Sequence, residues 1–224
     1  MLVSEHDPAV PGQKAYKEFN MGRVSDAKER LMDAVSELFW TGSYGSTTID
    51  QICERAGVKK GSFYYFFDSK SALAMEALEA RWQERRAELD AIFSPMNPPL
   101  DRLRKYCENS YEFQRQIKSK YGRVLGCPLF ALGAEICTQE DELRQKIEEI
   151  LQYHRKYIES AIRDADASGV IKAPDPAAKA AMLHAYCEGL LTQARIENDA
   201  EVMRDAVPGW FAILGVKEQE AVVA

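Results

Sequence analysis

Two groups of residues in this chain have types and spacings that can do chemistry. The first is the segment Lys60-Gly-Ser-Phe-Tyr-Tyr-Phe-Phe67. Wound as a helix, it turns Phe63 and Phe67 to one side, one turn apart, and leaves Lys60, Ser62, Tyr64 and Tyr65 on the other. An ammonium, a hydroxyl and two phenols on one short face are donors and aromatic surfaces of the kind that meet phosphates and base edges. The second group centres on Cys127, which directly precedes Pro128. Proline is favoured in the first turn of a helix, so Cys127 is expected at a helix N-terminus, where the dipole and unpaired N–H groups stabilise a thiolate. Such a thiolate attacks electrophiles. Oxidised to sulfenate it condenses with a neighbouring thiol or amine, with Cys137, Cys107 and Cys187 as resolving partners. The same residue also reads as a buried, inert thiol.

The companions of other chemistries are missing. The chain has three histidines, His6, His154 and His184, with no H-E-x-x-H pattern and no local nucleophile–base pair, so a thiol-dependent transferase built on Cys127 lacks its usual partners. The spacing of Cys127 and Cys137 is not that of paired zinc ligands, and neither a metal nor a cofactor is expected. Gly42-Ser-Tyr-Gly-Ser-Thr-Thr48 has the look of a phosphate loop, but it lacks the Walker lysine and follows a helical segment rather than a strand.

The elements that position these groups are all helical. From Ser25, a plausible N-cap, to about Thr41, apolar residues recur at Ala27, Leu31, Ala34, Val35, Leu38 and Phe39. Gly42 to Ser46 ends that helix. Thr47-Thr-Ile-Asp50 then starts a short second helix, with Thr47 as its cap and Ile49, Ile52, Cys53 and Ala56 on one face. Gly57 suits the sharp turn into the third helix, which begins near Val58 to Lys60. Asp68 or Ser69 caps a fourth helix running to the break at Pro95 to Pro99. Beyond it the breakers predict helices over 99–120, 127–136, 139–167, 175–197 and 200–215, with no strand, repeat or low-complexity tract.

Composition sets the bounds. The 224 residues suffice for a small domain joined to a larger one, with 46% hydrophobic and 29% charged residues. No apolar run approaches the roughly 20 residues of a membrane helix. Met1 to Asn20 lacks the pattern of a secretory leader, so the cytoplasm is expected. Five scattered cysteines read as reduced thiols rather than a disulfide framework. A net charge of -6 does not point to nucleic acid, and around the first motif Arg23, Lys28, Arg55, Lys59, Lys60 and Lys70 are largely cancelled by nearby acids.

Two short helices joined by a glycine turn, with a polar-aromatic face on the second, describe a helix-turn-helix. The run Thr47-Thr-Ile-Asp-Gln-Ile-Cys-Glu-Arg-Ala-Gly-Val-Lys-Lys-Gly-Ser-Phe-Tyr-Tyr-Phe-Phe-Asp-Ser-Lys70 closely resembles the signature of the TetR family of transcriptional repressors, over roughly Ser25 to Leu73. The resemblance implies an all-α fold. A flexible arm (1–22) would precede an N-terminal three-helix DNA-binding domain (23–70), followed by a C-terminal helical ligand-binding and dimerisation domain (71–224). It implies a homodimer on near-palindromic double-stranded operator DNA, released by a small-molecule or thiol-reactive inducer. Position by position, Thr47 or Thr48 would hold a phosphate at a helix N-terminus. Tyr64 and Lys70 match other phosphate contacts of the family. Lys60, Gly61, Ser62 and Tyr65 sit where the family approaches base edges, Tyr65 standing where histidine is frequent.

In the larger part, Tyr106, Tyr111, Phe113, Phe130, Tyr157, Met182 and Tyr186 are candidates to line a pocket between helices, or to be plain core. Gly126-Cys127-Pro-Leu-Phe-Ala-Leu-Gly-Ala-Glu-Ile-Cys137 resembles a segment of TetR-like repressors that respond to electrophiles, oxidants or acrylate-like compounds, which implies a sensor role for Cys127. Where the nearest resemblance has a lysine, this chain has Arg195. Leu183, Tyr186, Cys187, Leu190, Leu191 and Ala194, together with Val207, Trp210, Phe211 and Leu214, look too apolar for solvated surfaces and are expected to pair two copies. The competing readings are the thiol-dependent enzyme and a helix-turn-helix scaffold that no longer binds DNA.

Overall fold

The computed structural model describes residues 13–216, with side chains from Asp26 onward. The described residues form helices α1 Gln13–Thr41, α2 Ile49–Ala56, α3 Lys60–Phe66, α4 Lys70–Ile92, α5 Pro99–Tyr121, α6 Pro128–Ile136, α7 Asp141–Ala167, α8 Pro176–Glu197 and α9 Ala206–Leu214. A short 3₁₀ turn, Ala200–Asp205, precedes α9. The all-α expectation holds, with no strand among the described residues.

Two boundaries differ from expectation. The first helix begins at Gln13, so it runs through Ser25 and covers part of the expected arm, while His6 and the rest of that arm lie outside the described residues. Lys14 to Met21 is rich in helix formers and contains no proline, so nothing in it stops a helix. The last predicted helix is split. Pro208 has no N–H and cannot donate to the carbonyl four residues back, so the α-helical ladder does not continue through it and a tighter turn precedes α9.

Two apolar clusters share α4. Leu31, Val35, Ile52, Phe63, Phe67, Leu73 and Ala77 form one, which also takes in Leu132 and Ile136 of α6 and Leu143 and Ile147 of α7. Trp82, Leu89, Leu103, Tyr106, Ile158, Leu183 and Trp210 belong to the other. The junction falls between Ala77 and Trp82, roughly one and a half turns apart on α4, and Leu78 packs against both. Phe63 and Phe67 are core, as their spacing predicts.

The residues expected to pair two copies lie mostly inside this second core. Leu183, Ala194 and Trp210 are fully buried, and Cys187, Leu190, Leu191, Phe211 and Leu214 nearly so. Tyr186 packs its ring over Gly209 of α9, where a Cβ would sit 2.3 Å from the phenol. Their apolar character therefore satisfies the chain's own core. The exposed positions of α8 and α9 include a small or apolar strip, Ala181, Met182, Ala185, Gly189 and Ile196, with Pro208 and Ala212, flanked by the polar Thr192, Gln193 and Glu197.

Candidate DNA interface and effector cavity

The helix-turn-helix is built by local chemistry. Thr48 caps α2: its side chain accepts from the Gln51 N–H at 3.2 Å, while the Gln51 side chain accepts the Thr48 N–H at 2.8 Å. The sequence reading put the cap at Thr47, one residue early. Thr47 is buried, and its hydroxyl donates to the Ser43 carbonyl at 2.6 Å. Its side chain locks the turn between α1 and α2 and is not presented to a phosphate. Thr48 is exposed at the N-terminus of α2. Gly57 ends α2 at φ 64°, the left-handed conformation that allows α3 to cross α2.

On α3 the expected outward face is present. Tyr64 and Tyr65 are 54% and 74% exposed, which excludes a core role for either, whereas Phe66 is half-buried against the first cluster. Gly61 has nothing within 4 Å of where a Cβ would stand, so backbone can approach a groove there. Ser62 lies on the same turn, half-buried, its N–H donating to the Lys59 carbonyl at 2.8 Å. Lys60 is exposed and paired with Asp50 of α2 at 2.8 Å. A solvent-facing pair of this kind is weak and exchanges readily for a phosphate.

Lys70 departs from the expectation of a phosphate contact. Its ammonium donates to the carbonyls of Tyr44 at 2.6 Å and Thr47 at 3.0 Å, and lies 4.1 Å from the centre of the Tyr44 ring. Burial lowers its pKa from the ordinary lysine value. The residue at the start of α4 thus holds the turn that leads into α2, and acts on the α2 N-terminus through that turn.

Beneath this unit is a cavity of about 930 Å³. Its lining comes from α1 (Phe39, Trp40), α4 (Trp82, Arg85), α5 (Tyr106, Phe113, Gln114), the Gly126–Pro128 segment, α7 (His154) and α8 (His184, Glu188). Trp40 and Phe113 stack at 5.7 Å between ring centres. Gln114 holds the Gly126 segment by two hydrogen bonds, donating to the Gly126 carbonyl at 3.2 Å and accepting its N–H at 3.0 Å. The Trp40 indole N–H reaches the carbonyls of Leu125 and Gly126 at 3.0 and 3.2 Å. The wall beside Cys127 is therefore tied directly to α1.

Polar groups converge at one side of the cavity. The Tyr106 hydroxyl and His154 Nδ1 share a hydrogen bond at 3.1 Å. Burial holds His154 down at about 3 and His184 at about 4, so both imidazoles are neutral near pH 7. Burial likewise lifts the Glu188 carboxyl to about 7. The Cys127 thiol pulls the Glu188 carboxyl in the other direction without prevailing.

Cys127 sits at the N-terminus of α6, as expected, but not as a stabilised thiolate. Enclosure of its sulfur pushes the thiol pKa well above the ordinary value, and the charge of Glu188 adds to this. The N–H groups of Phe130 and Leu129 pull in the other direction without prevailing. The dipole argument missed Glu188, which arrives from α8 and stands in the place an activating cation would need. Cys107 and Cys187 are buried, and burial raises both of their pKa values.

Of the other expected pocket residues, Tyr106 and Phe113 line the cavity and Tyr111, Phe130, Tyr157, Met182 and Tyr186 do not. Phe130 is 37% exposed on the outer side of α6, its ring 6.0 Å from that of His184. Tyr157 donates to the Asp90 carboxylate and packs on Phe93, joining α7 to the end of α4. Tyr186 is occupied by Gly209, and its hydroxyl donates to the Asp205 carbonyl at 3.3 Å.

Residues 31–77 match the model described as bacterial regulatory proteins, tetR family, and residues 99–210 match that of the tetracyclin repressor-like C-terminal domain. The chain belongs to the TetR family. It is 29% identical over 201 residues to the transcriptional regulator AcuR of Cereibacter sphaeroides, covering 88% of this chain and 90% of that one. It is 24% identical over 186 residues to the transcriptional repressor NemR of Escherichia coli, covering 81% and 90%. Among solved structures, the regulatory protein TetR from Rhodobacter sphaeroides superposes with a TM-score of 0.73 at 26% identity, over 82% of this chain and 96% of that one. The reduced form of E. coli NemR superposes with a TM-score of 0.74 and shares the fold. This TetR-family chain is thus a helix-turn-helix transcriptional regulator, and the relatives it matches are regulators rather than enzymes. No helix among the described residues is long and apolar enough to cross a membrane.

Trp40, Gln114 and Glu188 went unremarked in the sequence as cavity residues. A weak signal existed for Glu188, a carboxylate set within the apolar run Leu183 to Leu191 on a helix otherwise bound for the core. Trp40 gave none, since it lies in the first helix, far in sequence from everything it touches.

Proposed function

We propose that this TetR-family regulator is a homodimeric repressor that binds near-palindromic operator DNA through α2 and α3 and is released when a small molecule enters the cavity between α1 and α8. The observation that carries this reading is the shared lining of the cavity, which takes side chains from the first helix of the DNA-binding unit and from the helices of the larger part. An occupant that shifts the Gly126–Cys127 wall shifts Trp40 with it, and so changes how α1 presents the recognition unit.

Thr48, Lys60, Gly61, Ser62, Tyr64 and Tyr65 form the surface that meets DNA. Thr48 and Tyr64 hold phosphates, and the turn at Lys60 to Ser62 faces base edges. Thr47 and Lys70 act indirectly by setting the turn before α2. The small, exposed strip of α8 and α9 supports pairing with a second copy, because backbones can approach closely along Ala181, Ala185 and Gly189. Two recognition units then span successive major grooves about 34 Å apart, and an effector that favours a splayed dimer lowers affinity by shifting the population. The raised thiol of Cys127 favours a reversible occupant over covalent capture at rest.

The test is binding of the purified protein to DNA upstream of its own gene at stated salt, with sedimentation to give the oligomeric state. A dimer that binds one such fragment selectively, with affinity falling steeply as salt rises, is expected. A monomer, or binding indifferent to sequence, overturns the proposal.

A further inference from the structure

Within the cavity, two enclosed polar atoms have no hydrogen-bond partner among the described residues: Glu188 Oε2 and His184 Nε2. Both side chains are more than nine-tenths buried. They stand one turn apart on α8, with His184 Nε2 3.7 Å from Glu188 Oε1, too far for a hydrogen bond. An acceptor left unpaired in such a place costs about 1–3 kcal/mol, and a bound donor removes that cost. Because burial keeps His184 neutral, its Nε2 accepts a hydrogen bond in the tautomer that carries the proton on Nδ1.

The charge of the lining points the same way. Six carboxylates face the cavity against three cations, Arg81, Arg85 and Lys120. Arg81 is held by Asp33 and Glu84, and Arg85 by Glu88 and Asn109. Lys120, exposed near the end of α5, lies 4.8 Å from the centre of the Tyr121 ring. An anionic ligand would therefore meet the buried Glu188 carboxyl beside arginines already held by carboxylates. A wholly apolar one would seal Glu188 and His184 away unpaired. The remaining walls, with Trp40 stacked on Phe113 and Trp82 and Tyr106 nearby, suit a hydrocarbon or aromatic body and attract a cation through their ring faces.

We propose that the effector of this cavity is a primary amine, bound as its ammonium ion on an aromatic or aliphatic body, with Glu188 and His184 accepting its N–H groups. This rests on the cavity being the effector site. Glu188 receives the charge-assisted hydrogen bond, His184 a second, and the stacked rings of Trp40 and Phe113 enclose the body.

The groups that face Glu188 determine how binding follows pH. Cys127, before α6, keeps its proton because burial raises its pKa, and His184 on α8 and His154 on α7 stay neutral. Tyr106 of α5 and Cys187 of α8 stay protonated because burial raises both pKa values, and Arg85 of α4 is ion-paired with Glu88. Between about pH 6 and pH 8 the group that changes charge is thus Glu188. Ammonium binding draws its proton off, so affinity rises with pH over that range. A carboxylate ligand would instead require the proton and weaken.

The experiment titrates the full-length protein with 2-phenylethylamine, 2-phenylethanol and phenylacetate, read by the fluorescence of Trp40 and Trp82 at about pH 6, 7 and 8. The amine is expected to bind about tenfold more tightly than the alcohol, to strengthen with pH, and to lose that advantage in Glu188→Gln. If the alcohol or the acid binds as tightly, or the amine weakens as pH rises, the ligand class is wrong while the cavity reading stands. If none of the three binds at millimolar concentration, both the ligand class and the cavity reading fall. The pH dependence is measured on the native chain, so it decides the matter even where Glu188→Gln does not fold.

Discussion

The carboxylate of Glu135 on α6 accepts the backbone N–H of Tyr44 at 2.8 Å, joining residues 91 positions apart. The same carboxylate takes the neighbouring N–H of Gly45 at 2.7 Å, and the Tyr44 hydroxyl donates to Glu140 at 2.9 Å. The turn before α2 is therefore gripped by the helix whose other end begins at Cys127 in the cavity wall. Lys70 holds the opposite side of that turn. A movement of α6 reaches the turn that leads into α2 through two hydrogen bonds.

Removing this grip should separate DNA recognition from its control. Glu135→Ala is expected to keep operator affinity within about threefold, since Thr48 and α3 are untouched. The loss of affinity caused by effector should shrink by about tenfold, a coupling of the usual allosteric size. Operator titrations with and without effector check this. An unchanged response in Glu135→Ala would mean that the signal travels instead through Trp40 or α4.

Lys70 and Tyr64 should behave differently, although the family resemblance gives them the same role. Lys70→Met leaves the carbonyls of Tyr44 and Thr47 without their donor, so it should lower stability by about 1–3 kcal/mol, seen as a lower Tm, together with DNA affinity. Tyr64→Phe removes an exposed hydroxyl, so Tm should hold while operator affinity drops about fivefold. Equal losses of Tm in the two variants would contradict the geometry.

Legibility in the sequence followed the range of the interactions. The helices, the glycine turn at Gly57 and the inward Phe63 and Phe67 rest on contacts within a few residues, and their spacing revealed them. Thr48 was missed by one position because either threonine could cap α2 locally. The choice is made by the Ser43 carbonyl, which draws Thr47 inward. The cavity was least legible, since Trp40, Gln114, His154 and Glu188 come from four helices and meet only when those pack. Aromatic content could not separate Tyr106, which lines it, from Tyr157 and Tyr186, which pin other helices together.

The thiols should react in an order opposite to the one the helix dipole alone implies. Cys137 is exposed at the end of α6, while Cys127 is held protonated by burial and Glu188. With a small alkylating agent at pH 7, mass spectrometry is expected to find Cys137 modified first and Cys127 at least about tenfold more slowly. Cys127→Ser should leave operator affinity unchanged. Faster modification of Cys127 would restore the thiol-sensor reading.

The buried titratable groups also set how stability follows pH. His154 and His184 have folded pKa values of about 3 and 4, below the ordinary 6.5, so their contribution is present above about pH 6.5 and is lost as pH falls toward 4. Glu188 works in the opposite sense. Its folded pKa of about 7 lies above the ordinary 4.5, so its contribution is present below about pH 4.5 and is lost as pH rises through 7. At pH 8 the folded protein carries a buried carboxylate that the unfolded chain leaves in water. Glu188→Gln removes that burden, and is expected to raise Tm by about 4 °C at pH 8 while changing it little at pH 5. Thermal melts of the two proteins across this range check the sign. A Tm gain that is larger at pH 5 than at pH 8 would show that Glu188 is stabilised as the anion, by a cation other than Arg81 or Arg85.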